Sequence, residues 1–145
     1  MLNYEKLIVG EMRTNCYLVW DEDKKVVIID PGDEVEFISD EIEKRQLKPI
    51  GILLTHRHPD HTRAAPDLKL IYEIPIFNLQ QPIFDFRVIK TPGHTNDSVC
   101  FYSPTLGVVF IGDTRWKEAQ KILNLPKNTV FLPGHDEDMM IEVEY

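Results

Sequence analysis

All five histidines of the chain fall in three short blocks that also carry aspartates at positions suited to metal ligation. The blocks are Thr55-His56-Arg57-His58-Pro59-Asp60-His61, Thr91-Pro92-Gly93-His94-Thr95 and Pro133-Gly134-His135-Asp136, with Ile111-Gly112-Asp113-Thr114 between the last two. Histidines kept for packing or solubility would fall partly on ordinary helix or strand positions, whereas these stand by Gly and Pro turns. His56 and His58 are two apart, so on an extended backbone their rings point to one side and can share a cation. Pro59 then forces a turn that brings Asp60 and His61 within a few ångströms. The simplest allocation gives one metal His56, His58 and His94, and a second Asp60, His61 and His135, with Asp113 bridging both. A structural zinc site favours cysteine and a single closed sphere of four ligands, and seven candidates exceed that need. Two cations about 3.5–4 Å apart lower the pKa of a shared water from near 15.7 towards roughly 7, which makes a nucleophile for a polarised carbonyl or phosphoryl group. Asp60 and Asp113 are the carboxylates expected to take part in that chemistry. The expected cofactor is a pair of divalent ions, zinc first, with iron or manganese as alternatives.

These ligands need rigid elements behind them. Tyr4 to Gly10, Asn15 to Trp20 and Lys25 to Asp30 read as three strands of an antiparallel meander, separated by turn-prone segments. Val35, Ile38 and Ile42 recur at helical spacing, which predicts an amphipathic helix ending near Gln46. Ile50 to Leu54 is a short unbroken apolar run, as for a strand covered on both faces, and the first histidine block sits at its C-terminal end. A short helix can start within Thr62 to Leu70, and Ile74-Pro75-Ile76-Phe77 reads as an edge strand because its proline has no N–H for a central ladder. Arg87 to Lys90, Ser98 to Ser103, Val108 to Ile111 and Thr129 to Leu132 are further strands, and Trp116 to Leu125 a second long helix limited by Pro126. Asp30, in the turn Asp30-Pro31-Gly32, is expected to orient a ligand or the loop that follows.

A length of 145 residues suits one domain, residues 1–145, with a single packed core. The formal charge of −8 repels phosphate backbones, so no nucleic-acid partner is expected, and no apolar run approaches a bilayer span, so no membrane partner is either. Met1 to Gly10 lacks the pattern of a secretory leader, which points to the cytoplasm. Cys16 and Cys100, each in a strand-like run, fit buried reduced thiols there.

The four blocks occur in the order H-x-H-x-D-H, T-P-G-H-T, G-D-T and P-G-H. With Thr14-Asn15-Cys16-Tyr17-Leu18-Val19 and Ile29-Asp30-Pro31-Gly32, they make the chain resemble a metallo-β-lactamase-fold hydrolase of the glyoxalase II-like branch. The resemblance implies an α/β fold of the α+β type, a four-layer αβ/βα sandwich in which two mixed sheets pack face to face with helices outside and metals lie along one edge. It also implies metal-dependent hydrolysis of a small ester, thioester, lactone or lactam, and the ligand allocation reached above. Lactams are the weaker choice, since Asp113 stands where lactamases usually have another residue. The chain departs from the family pattern at Arg63-Ala64-Ala65, where two glycines are usual, and at Asn96-Asp97 in place of a frequent Pro-Gly. Only 22 positions separate Asp113 from His135, and ten residues follow His135, too few for the helical domain with which glyoxalase II grips glutathione. Hydroxyacylglutathione is therefore expected to be a poor substrate, and the site to be shallow or completed by a second subunit in a homodimer. Arg63, Arg115 and Lys117 could hold an anionic substrate group, although solvated charge is the commoner fate. The alternative reading is a mononuclear-iron oxidoreductase similar to persulfide dioxygenases.

Overall fold

A computed structural model describes residues 1–114, 124–135 and 139–140. Strands β1 (Asn3–Val9), β2 (Thr14–Trp20) and β3 (Lys25–Ile29) form the expected antiparallel meander. Helix α1 (Val35–Lys44) then crosses over to β4 (Lys48–Leu53), which lies parallel to β3 and completes a four-stranded sheet in the order β1-β2-β3-β4. The helix stops two residues before Gln46, whose φ of 57° is incompatible with a further helical turn.

The helical stretch expected from Thr62 is two helices. Helix α2 (Pro59–Thr62) starts earlier because Pro59 at its first position has the fixed φ of a helix and no N–H to waste. Helix α3 (Ala65–Tyr72) restarts with Pro66 in its first turn. The edge strand expected at Ile74–Phe77 is reduced to one parallel bridge, Ile52 with Ile76. Ile52 donates to the Pro75 carbonyl and Phe77 to the Ile52 carbonyl, but Pro75 has nothing to donate.

The second sheet has the order β5-β6-β7-β8-β9, built from β5 (Arg87–Lys90), β6 (Val99–Ser103), β7 (Val108–Gly112), β8 (Val130–Pro133) and β9 (Met139–Met140). Its first three strands are again an antiparallel meander, and β8 again lies parallel to the third. The short β9 carries no sequence signal that would have forecast it. Of the helix expected over Trp116 to Leu125, residues 116–123 lie outside the described residues.

The alternation of side chains along β3 shows how the layers are held. Val26 and Ile28 face α1 and α3, packing with Ile38, Ile42 and Leu68, while Val27 and Ile29 face the second sheet and pack with Phe101, Phe110 and Leu132. All four are buried, as a strand between two layers requires. The far face of the second sheet has its own apolar cluster around Tyr102, Val109 and Phe131. Among the described residues no helix is long and apolar enough to cross a membrane.

Candidate metal centre

The site forms where the C-terminal ends of the two parallel strand pairs meet, the place where sheets of this kind present chemistry. Asp30 follows β3, Thr55 and His56 follow β4, Asp113 follows β7 and His135 follows β8. His58, Asp60 and His61 lie at the start of α2, and His94 lies on the loop between β5 and β6. Backbone bonds across the two sheets fix these ends: Asn15 N–H donates to Gly134 O at 2.7 Å and Val99 N–H to Thr55 O at 2.9 Å. The Tyr17 hydroxyl and the Asn15 amide both donate to Pro133 O, at 2.6 and 3.0 Å.

All seven side chains singled out in the sequence converge. His56, His58, His94 and Asp113 form one group that could hold an ion, and Asp60, His61, Asp113 and His135 a second, so Asp113 is common to both. In the first group His58 Nδ1 lies 3.0 Å from His94 Nε2, and Asp113 Oδ2 lies 3.5 Å from His56 Nε2 and 3.4 Å from His94 Nε2. In the second, His61 Nε2 is 3.2 Å from Asp113 Oδ2 and 3.3 Å from His135 Nε2, which is itself 3.1 Å from Asp60 Oδ2. Two donors each bound 2.0–2.1 Å from a tetrahedral ion lie about 3.3 Å apart, the spacing of this cluster.

The hydrogen bonds behind the ligands decide which ring nitrogens face inward. Thr55 donates its hydroxyl to Asp30 Oδ2 at 2.5 Å and its N–H to Asp30 Oδ1 at 2.8 Å. The Thr55 oxygen is left to accept from His56 Nδ1 at 3.0 Å. His61 Nδ1 donates to the same Asp30 Oδ2 at 2.9 Å, and His135 Nδ1 to the Met12 carbonyl at 3.0 Å. Each of these rings, when neutral, therefore turns an Nε2 lone pair into the site. The Nε2 of His56 is buried without a hydrogen-bond partner among the described residues. Lone pairs facing one another and a carboxylate at these distances repel unless a cation lies between them, so the donor set fits divalent metal.

Protonation is the other source of positive charge. Burial alone would lower the pKa of His61, but its bonds to Asp113 and Asp30 outweigh that and push it up to about 10. Burial would likewise raise Asp113, yet the His56 and His61 rings beside its carboxylate and the charges of His61 and His135 hold its carboxyl far below the usual range.

Glycines let the backbone approach this closely. A Cβ on Gly134 would strike the His61 ring and lie 2.8 Å from Asp113 Oδ1, and one on Gly32 would strike the Asp60 carbonyl. Asp30 sits at φ 52°, a left-handed conformation that aspartate tolerates better than most residues.

The expectation that Asp30 orients a ligand corresponds to its bonds to Thr55 and His61. Thr55 and the Met12 carbonyl were missed. Thr55 had a signal, standing directly before the first histidine, but a backbone carbonyl has none in sequence. Arg63 pairs with Asp33 at 3.4 Å, while Arg115 and Lys117 lie outside the described residues. Cys16 and Cys100 are buried and free, with burial pushing both thiols up.

Comparison with known proteins bears on the family and the fold. The hydroxyacylglutathione hydrolase GloC of Haemophilus influenzae is 30% identical over 97% of the chain and 89% of its own length. A hydroxyacylglutathione hydrolase of Wigglesworthia glossinidia brevipalpis is 29% identical over 83% of the chain, which spans only 60% of that relative. Among solved structures, TTHA1623 in a di-iron-bound form superposes with a TM-score of 0.86 at 26% identity, covering 94% of both chains. The BLEG-1 B3 metallo-beta-lactamase superposes equally well, at 0.86, with 24% identity over 95% of this chain and 94% of that one, and so shares its sandwich fold. The metallo-beta-lactamase superfamily matches residues 9–81 and 79–141, and with the αβ/βα sandwich and the histidine blocks in place, the chain belongs to that superfamily.

Proposed function

We propose that the protein is a metal-dependent hydrolase of small esters, thioesters or lactones, working with two divalent ions, zinc first. The observation that carries this reading is the pair of donor groups sharing Asp113. A mononuclear-iron oxidoreductase needs only one such group, so the second set, Asp60, His61 and His135, favours two ions, and metal analysis separates the two readings. His56, His58 and His94 would hold one ion, Asp60, His61 and His135 the other, and Asp113 both. When bound, the ions supply Lewis acidity and acidify water enough to serve as a nucleophile near neutral pH.

The chain's own contribution is orientation and proton handling. Asp30, through Thr55 and His61, fixes one ring of each group with a single buried carboxylate. Asp60 turns Oδ2 towards His61 and His135, and its side chain remains 23% exposed. A partly exposed carboxylate beside the ions would take up a proton released during hydrolysis and pass it to solvent. Hydroxyacylglutathione returns to the candidate substrates, since a relative named for that activity has 89% of its length covered by this chain. Two free buried thiols support a reducing, cytoplasmic setting.

Metal quantification on the purified protein, with a screen of thioesters, lactones and phosphodiesters, tests the reading. Two zinc, iron or manganese ions per chain with hydrolysis of a thioester or lactone is the expected result. One iron with oxygen consumption would replace it by the oxidoreductase. His58→Ala should abolish hydrolysis and leave the chain folded, and full turnover in that variant would remove His58 from the ligand set.

A further inference from the structure

A groove of about 700 Å³ opens beside His56, between Leu54 at the end of β4 and Val88 and Lys90 on β5, the facing edges of the two sheets. Its size is that of a pocket for a small organic molecule. Phe77, Leu79 and Val88 give it apolar walls, with Leu79 and Val88 39% and 37% exposed. Arg57 and Lys90 border the same groove.

The chain has 24 acidic residues against 16 basic ones, and Arg45 pairs with Glu5 and Glu41, Lys44 with Glu41, and Arg63 with Asp33. Arg57 and Lys90 are in no ion pair among the described residues, although they are exposed and their groove also reaches Asp97. Asp97 Oδ1 accepts from the Thr95 hydroxyl at 2.6 Å. With Arg57 and Lys90 against Asp97, the lining keeps a positive balance in an acidic protein, beside His56.

We propose that this groove binds an anionic tail of the substrate. A carboxylate is held by Arg57 and Lys90, and a short apolar stretch lies over Phe77, Leu79 and Val88, joining it to the carbonyl that is hydrolysed beside His56. The proposal rests on the hydrolase reading and narrows its substrates to those with a negative charge several bonds from the scissile carbonyl. That charge can sit on the acyl side or on the thiol or alcohol side.

Two matched pairs of thioesters separate these sources. Glutaryl and valeryl thioesters of N-acetylcysteamine differ by a terminal carboxylate on the acyl group, and valeryl thioesters of 3-mercaptopropionate and propanethiol differ by one on the thiol. With the metal-loaded protein, kcat/KM for the charged member of one pair should exceed that of its neutral partner by about tenfold or more, mainly through KM, as one charge-assisted contact gives. The ratio should shrink at high ionic strength and fall towards one in the Arg57→Gln/Lys90→Gln double variant. Equal rates within both pairs, or a preference that survives the double variant, would overturn the groove assignment while leaving hydrolysis in place. If none of the four thioesters is hydrolysed, that reading fails separately, and calorimetric titration with glutarate then decides the groove. Binding about tenfold weaker in the double variant supports it, and binding that is absent or indifferent to the substitutions overturns it.

Discussion

Asp30 shows how much one side chain outside the ligand set can govern the site. Its two oxygens accept from Thr55 N–H, the Thr55 hydroxyl and His61 Nδ1, so a single carboxylate sets the tautomer of His61 directly and that of His56 through Thr55. Asp30→Asn keeps the volume but weakens the acceptor, and the amide can turn an N–H towards His61. Metal affinity should fall about ten- to a hundredfold, the usual cost of losing such a partner. Competition titration with a chromogenic chelator measures it, and an unchanged affinity in a folded variant would leave Asp30 as a turn residue only. Much of this scale was legible in the sequence. Metal ligation admits few side-chain types, and when His56, His58, Asp60, His61, His94, Asp113 and His135 all stand by turns, residue type and spacing alone imply that they converge. The Met12 carbonyl under His135 could not be read, because every residue has such a carbonyl and only the fold selects one.

At the scale of elements, legibility followed the strength of the local signal. The strands from β1 to β4 and helix α1 were readable because apolar periodicity and turn residues agreed. The division of α2 from α3 was not, because Pro59 and Pro66 each start a helix and nothing local between them marks the break at Arg63 and Ala64. The failed strand at Ile74–Phe77 teaches more. Pro75 limits it to one bridge, and Phe77 then swings its ring against β4 at Gly51, where a Cβ would strike the ring edge. Gly51 is therefore a packing glycine: its role is the space it leaves for Phe77, which joins the core between the sheets and also walls the groove. Gly51→Ala should cost about 1–3 kcal/mol by overpacking, seen as a lower urea midpoint with an unchanged slope. A midpoint equal to that of the unsubstituted protein would mean that Phe77 moves away freely.

The whole molecule is two similar halves, each an antiparallel meander followed by a parallel strand, and the candidate ligands are divided between them. His56, His58, Asp60 and His61 come from the first half, and His94, Asp113 and His135 from the second. Bound ions would tie one sheet to the other at the edge where Asp30, Asp60 and Asp113 gather negative charge. Removing them should therefore destabilise the entire fold. A site saturated at a hundred times its Kd contributes about 2.7 kcal/mol, and a chain of this size loses roughly 2–4 °C in Tm per kcal/mol, so chelation should lower Tm by roughly 5–10 °C for each such site. Re-addition of zinc should restore it. The loss should also depend on pH, because in the metal-free chain protonated His61 supplies part of the missing charge. Its pKa is raised from 6.5 to about 10. That contribution is fully present below about 6.5 and disappears as pH rises through about 10, so the metal-free protein should weaken steadily over this interval. The same proton competes with metal, so affinity should increase as pH rises across it. Thermal melts of chelated and zinc-loaded protein at pH 6, 8 and 9.5 would follow both effects. Equal Tm values after metal removal verified by elemental analysis would mean that the two halves hold together without the ions.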